Sequence, residues 1–416
     1  MGSALHGGAN RCMIQRAAAC RGANGGLLRH GLIRVLALFI LLLSTGSPSR
    51  AATAAAKPAR PLGPYTSARS CGTCHDAIHK SWADSPHARA ATNPAYLEAL
   101  RRIVESTAEG KAAREACVWC HSPSTILTGD LEMQQAISRE GITCDFCHTV
   151  AEVDLQKVPP FDLKPGQVKR GPFEYAGRIQ GHATAYSPLH KSSPLLCASC
   201  HEYKNANGVL VLSNYSEWKE GPYPARGVSC QDCHMSLVPG TAARNSPSKA
   251  GLRVINLHRL VGGSAISQLA RGLDLKIESA VSEGGSAEVI VVVTNAAAGH
   301  FVPGGLATKS LVLAVGAETA DGKLEYRQER VYRRELKDEK GVVLESVADQ
   351  FLKAASIGSD SRIGPMESRR ERFTVPVPTG ARAIVARLEY RDGSDIRNAA
   401  PTTSLITETR HPLAAR

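Results

Sequence analysis

Cys71-Gly-Thr-Cys74-His75, Cys117-Val-Trp-Cys120-His121, Cys144-Asp-Phe-Cys147-His148, Cys197-Ala-Ser-Cys200-His201 and Cys230-Gln-Asp-Cys233-His234 are five copies of one pattern, all between residues 71 and 234. Cys-x-x-Cys-His is the attachment signature of c-type haem. Two thiols add across two vinyl groups as thioethers, and the adjacent imidazole is carried to the iron as its proximal ligand. Zinc knuckles and redox disulfides also use Cys-x-x-Cys. Knuckles come in pairs, however, and the motif count here is odd. Histidine supplies 14 of 416 residues, so its presence after all five pairs is on the order of a 10⁻⁸ event under random placement. The pattern therefore predicts five covalently attached haem c groups. Cys71, Cys74, Cys117, Cys120, Cys144, Cys147, Cys197, Cys200, Cys230 and Cys233 form the thioethers, and His75, His121, His148, His201 and His234 are the proximal iron ligands.

Outward from the motifs, the chain reads as a globular protein, with 43% hydrophobic and 21% charged residues over a length that accommodates two or three domains. Aromatic residues make up only 5%, so the flat macrocycles are expected to supply core volume in their place. Helix is expected only in pieces, at residues 94–105, 108–116 and 131–139. The formal charge of +12 is half accounted for by Arg11, Arg16, Arg21, Arg29, Arg34 and Arg50, in a stretch with no acidic residue. The rest is spread through mixed-sign segments, and nucleic-acid binding is not supported.

Val35 to Leu43 is an apolar run preceded by Arg29 and Arg34 and followed by small-x-small sites at Ala52-Thr53-Ala54 and Ala54-Ala55-Ala56. That is the anatomy of a secretory signal peptide over residues 1–56. Cys12 and Cys20 would leave with it. The expected location is periplasmic or extracellular, or membrane-anchored if the signal is not cleaved. Export suits covalent haem attachment, which takes place outside the cytoplasm.

Beyond the motifs and the leader, with its His6 and His30, seven histidines remain: His79, His87, His182, His190, His258, His300 and His411. Methionine offers few substitutes, since only Met133, Met235 and Met366 follow the leader. His79, four residues after His75 on an expected helix, shares the proximal side and cannot cap the same iron. His411 is expected in an exposed polar tail.

Residues 71–91 (CGTCHDAIHKSWADSPHARAA) resemble the opening of multihaem cytochromes of the cytochrome c-554/c-552 domain family, with Trp82, Ser85 and His87 in matching order. Residues 141–150, 181–201, 217–219, 228–235, 256–263 and 299–305 extend the resemblance over about residues 65–305. It implies distal iron-ligand roles for His87, His182, His190, His258 and His300. Lys191 and Arg259 are candidates to pair with haem propionates.

After residue 265 the pattern changes to strands. Leu273-Leu275-Ile277, Phe373-Val375-Val377 and Ile384-Ala386-Leu388-Tyr390 alternate with polar residues, residues 288–295 and 310–319 read as buried strands, and turns fall at Asp321-Gly322 and Asp392-Gly393. The expected fold is thus α+β and multidomain. A haem-packed, mostly α and loop cytochrome domain (57–265) precedes an all-β, sandwich-like domain (266–416).

The leading functional expectation is electron transfer through closely spaced, mostly bis-histidine haems, between redox-protein donors and acceptors. A membrane quinol-oxidising partner and a homo-oligomer both fit that reading. The alternative is an oxidoreductase with one open-coordinate haem acting on nitrite, hydroxylamine or tetrathionate. Pentahaem nitrite reductases usually carry lysine in one motif, and this chain does not. A third reading is a polymerising, filament-forming cytochrome.

Overall fold

The computed structural model describes residues 64–108, 110–173, 177–178, 181–244, 254–263, 265–395, 397–398 and 400–413. The expected leader, with Cys12, Cys20, His6 and His30, lies outside them. The described residues belong to one compact unit. No helix among them is long and apolar enough to cross a membrane.

The first part is short helices joined by loops and small ribbons. Four motifs use a turn of helix to bring their two thiols, three residues apart, onto one face, while in the first the helix holds Cys71 and a turn follows it through Cys74. The motif-bearing helices are Ala68–Gly72, Gly110–His121, Cys144–Thr149, Leu195–His201 and Cys230–His234. Pro94–Glu105 forms the expected helix. Asn93 Oδ1 accepts from the N–H groups of Ala95 and Tyr96 at 2.8 and 3.3 Å, Pro94 occupies the first turn, and Ala99, Leu100 and Ile103 are buried along one face. The helix expected over 108–116 starts at Gly110 and runs on through the second motif.

Residues 131–139 are not a helix. The Asp130 carboxylate accepts from the N–H groups of Gln134 and Gln135 at 3.0 and 2.7 Å, and Met133 adopts a left-handed φ of 52°. The aspartate captures the donors a first helical turn would need, leaving only a 3₁₀ turn at Ile137–Glu140.

From Leu273 onward the chain is β apart from the short helix Val347–Lys353. One antiparallel sheet has the order Leu273–Glu283, Ser286–Asn295, Ser368–Pro376. A second has the order Ser356–Asp360, Leu324–Lys337, Lys309–Glu318, Ala383–Asp392, Thr402–Pro412. Ala287, Val289, Val291 and Val293 of the first join Leu311, Leu313, Val315, Ala317, Ile384, Ala386 and Leu388 of the second in one core. His411 corrects its expectation: it pairs with Ile384 in the edge strand Thr402–Pro412 and is half-buried. Its polar strand covers a hydrophobic neighbour from the side, where charge costs little.

The ribbon after the fourth motif packs directly on this β part. Val211 is fully buried with Leu336, Leu344 and Ala354, and Tyr203, Val209 and Phe351 cover them. Asn205 and Asn207 both donate to Ala354 O, at 2.7 and 2.9 Å.

Candidate functional site

Seven imidazoles share one arrangement. The Nδ1–H groups of His75, His121, His148 and His234 donate to the carbonyls of Ala242, Ala90, Arg170 and Val261, at 2.6, 3.2, 2.5 and 2.5 Å. Those of His182, His258 and His300 donate to Ala183 O, Asn256 O and Phe301 O, at 3.0, 2.8 and 2.8 Å. A proton held at Nδ1 leaves Nε2 with a free lone pair, which is the state a metal requires. Burial favours the neutral form of His121 and His258, both lowered to about 4, and of two further imidazoles, His201 at about 4 and His87 at about 3.

These rings meet in pairs. His75 stands 6.0 Å from His182, His201 stands 6.2 Å from His87, His148 stands 6.4 Å from His258, and His234 stands 6.4 Å from His300, centroid to centroid. Two imidazoles on opposite sides of one metal, with bonds of about 2 Å plus the half-width of each ring, give roughly 6 Å between centres. Direct stacking would give much less. Among the described residues, no three His, Cys, Asp or Glu side chains converge as a bare metal ion would need. The donor set fits haem.

His190 is placed differently. Its ring is 5.5 Å from His148, but its Nε2 donates to Cys147 O at 2.7 Å and its Nδ1 meets Ser187 Oγ at 2.9 Å. Cys147 precedes the motif histidine, so His190 is bonded to the backbone of the motif itself. The ring against His121 is not an imidazole. Tyr96 lies parallel to it at 3.8 Å, and the phenol oxygen is buried with no hydrogen-bond partner among the described residues. Sequence reasoning passed over Tyr96; its place on a helix that buries Ala99 and Leu100 was the available signal.

His79 packs on Trp82 at 5.7 Å and closes over Gly72, where a Cβ would come within 2.7 Å of its ring. Trp82 donates to Ile142 O at 2.9 Å. His87 O accepts from Ile142 N at 3.0 Å. Gly141 permits this approach, with φ of 66° and no room for a Cβ against His87 O. Ser85 is fully buried and its hydroxyl accepts from Ala88 N at 3.1 Å. Lys191 lies over the Tyr186 ring, and Arg259 is exposed.

Contacts among the thiols order the motifs in space. Cys71 neighbours Cys144, Cys120 neighbours Cys200, and Cys197 neighbours Cys230. Burial, with Cys200 nearby, pushes the Cys147 thiol up to about 12. The first motif therefore touches the third, the third faces the fourth, and the fourth touches both the second and the fifth. Two acids that sequence reasoning did not single out knit the first pair. Glu140 accepts from Ser67 Oγ, Ala68 N and Thr143 Oγ1 at 2.5, 2.8 and 2.8 Å. Asp145, buried, accepts from Thr66 N at 2.5 Å and pairs with Lys169.

Residues 70–149 match the family described as cytochrome c554 and c-prime. A solved structure titled a penta-heme cytochrome c552 from Thermochromatium tepidum superposes with a TM-score of 0.68 at 19% identity, covering 84% of this chain and 99% of that one. A structural genomics target and β-glucosidase 3B from Thermotoga neapolitana align with 33% and 34% of the chain at 9% and 15% identity, but their TM-scores of 0.17 and 0.12 carry no argument. No curated protein matches. The resemblance read from residues 71–91 is borne out by the family match, and the α+β architecture with a C-terminal β region by the fold.

Proposed function

We propose that this chain, a multihaem c-type cytochrome with covalently bound haem c, is an exported electron-transfer protein holding five haems. Residues 57–265 carry the attachment motifs and residues 266–416 form the β domain. When bound, haem supplies a one-electron iron couple. The chain's part is to hold each group by two thioethers, present neutral imidazoles, and connect the attachment points in space.

The observation that carries this reading is the set of four imidazole pairs at 6.0 to 6.4 Å. His182, His87, His258 and His300 are the distal residues to His75, His201, His148 and His234 respectively. A metal flanked by two imidazoles has no position left for substrate, so those four sites serve electron transfer and not bond chemistry. The neighbouring cysteines support it too, because they link all five motifs into one connected set that branches at the fourth.

A second reading has a specific observation in its favour. Among the described residues, His121 meets Tyr96 and no imidazole. That favours an open axial position at the Cys117–His121 motif, where a small nitrogen or sulfur oxyanion, or hydroxylamine, would bind.

Ferric EPR and carbon monoxide difference spectra of the mature holoprotein test both. Four low-spin haems and one that binds carbon monoxide are expected. Two or more haems open to carbon monoxide would overturn the electron-transfer reading. Five low-spin haems with no carbon monoxide shift would remove the second reading and leave the first.

A further inference from the structure

His300 sits in a loop of the β part, and two backbone groups that follow it are held by buried charges. Phe301 N donates to Glu217 Oε2 at 3.2 Å. Glu217 Oε1 accepts from Ser213 Oγ at 2.6 Å and from Arg362 Nη2 at 2.7 Å. Arg362 also binds Asp360 through Nε and Nη2, at 2.9 and 2.7 Å. Its guanidinium lies 5.2 Å over the Phe301 ring, and Nη1 donates to Pro303 O at 3.4 Å. Asn295, fully buried, donates to His300 O at 3.0 Å and to Ile363 O at 3.1 Å. Val302 and Ile363 exchange hydrogen bonds at 3.0 and 3.1 Å.

Glu217 belongs to the helix Asn214–Glu220, between the fourth and fifth motifs, whereas Arg362 belongs to the β part. Their side chains are 9% and 5% exposed. A pair so buried is a poor stabiliser, because desolvating both charges offsets most of their attraction. Apolar residues of the same volume would serve a core as well or better. Besides Ser213 and Asp360, its partners here are Phe301 and Pro303, on a short segment that carries a histidine.

We propose that Glu217 and Arg362 are positioning residues which hold His300 in place as a ligand, so that coordination at the Cys230–His234 motif depends on the clasp between the two parts of the chain. This rests on His300 being the distal residue to His234. Glu217 fixes Phe301 from the cytochrome side, and Arg362 fixes Phe301 and Pro303 from the β side. Releasing either loosens the loop on the C-terminal side of the imidazole.

The test uses the full-length holoprotein with Glu217→Gln, Arg362→Lys and His300→Ala, read by ferric EPR spin quantitation and carbon monoxide titration. His300→Ala is expected to add one carbon monoxide-binding haem per chain. Glu217→Gln is expected to add the same one, with the other low-spin signals and the far-ultraviolet circular dichroism retained. Arg362→Lys keeps the charge but not the fork, and is expected to open that haem in part. If His300→Ala opens a haem while Glu217→Gln and Arg362→Lys open none, the clasp is overturned and the ligand assignment stands. If His300→Ala opens none, the assignment fails and takes the clasp with it. Should Glu217→Gln give no holoprotein, Arg362→Lys decides by the same criterion.

Discussion

The two nitrogens of an imidazole separate residues that the sequence treats alike. His190 and His258 both lie in segments that resemble ligand-bearing ones, and both rings come near His148. His258 spends Nδ1 on Asn256 O and keeps Nε2 free, while His190 spends Nε2 on Cys147 O. His258→Ala should therefore convert one low-spin haem to a carbon monoxide-binding form, and His190→Ala should leave the low-spin count unchanged. Spin quantitation of the two variants checks this, and the reverse result would exchange their roles. The ten cysteines and five motif histidines stand out in the sequence because their pattern is contiguous. The pairing of the distal side does not, because a carbonyl acceptor such as Ala183 or Phe301 leaves no mark on composition.

At the scale of elements, strands whose inward faces alternate were legible and strands whose outward faces carry charge were not. Leu324–Lys337 is Arg- and Glu-rich, yet it is the second strand of the larger sheet. It is held by a cross-strand ladder. Arg327 grips Glu389 at 2.9 and 2.7 Å, and Glu329 accepts from Arg391 at 2.8 Å. The Arg391 guanidinium, then Arg327, holds the Glu329 carboxyl below its ordinary range. A carboxyl depressed in the folded state adds stability above its unfolded value, and that contribution is lost as pH falls through the folded value. Glu329→Gln should thus lower the melting temperature slightly at pH 7, with the difference from the parent vanishing in acid. Glu329 is 30% exposed, so the effect should stay below about 1 kcal/mol and shrink with salt. A difference that grows in acid would contradict the ladder.

For the whole molecule, the β core and the haem-binding part are mechanically linked. His300 lies between the strands Ser286–Asn295 and Lys309–Glu318, which supply much of the buried core. Leu313 is fully buried there, and Leu313→Ala should cost about 2–5 kcal/mol. At about 2–4 °C per kcal/mol, the melting temperature should fall measurably. Loss of β circular dichroism and loss of one low-spin haem should shift down together. A haem signal that outlasts the β signal would show that the two parts are uncoupled.

The sequence by itself determined the chemistry of attachment, the family likeness, and the change from motif-bearing loops to strands after residue 265. Thioether geometry and strand alternation are local, so a few adjacent residues state them completely. Tertiary structure alone decided which imidazole faces which, that Tyr96 lies against His121, that the fourth motif touches both the second and the fifth, and that Glu217 meets Arg362 across 145 residues. Each of those is a contact between segments far apart in the chain. What brings them together is the burial of the whole, and no local pattern records it.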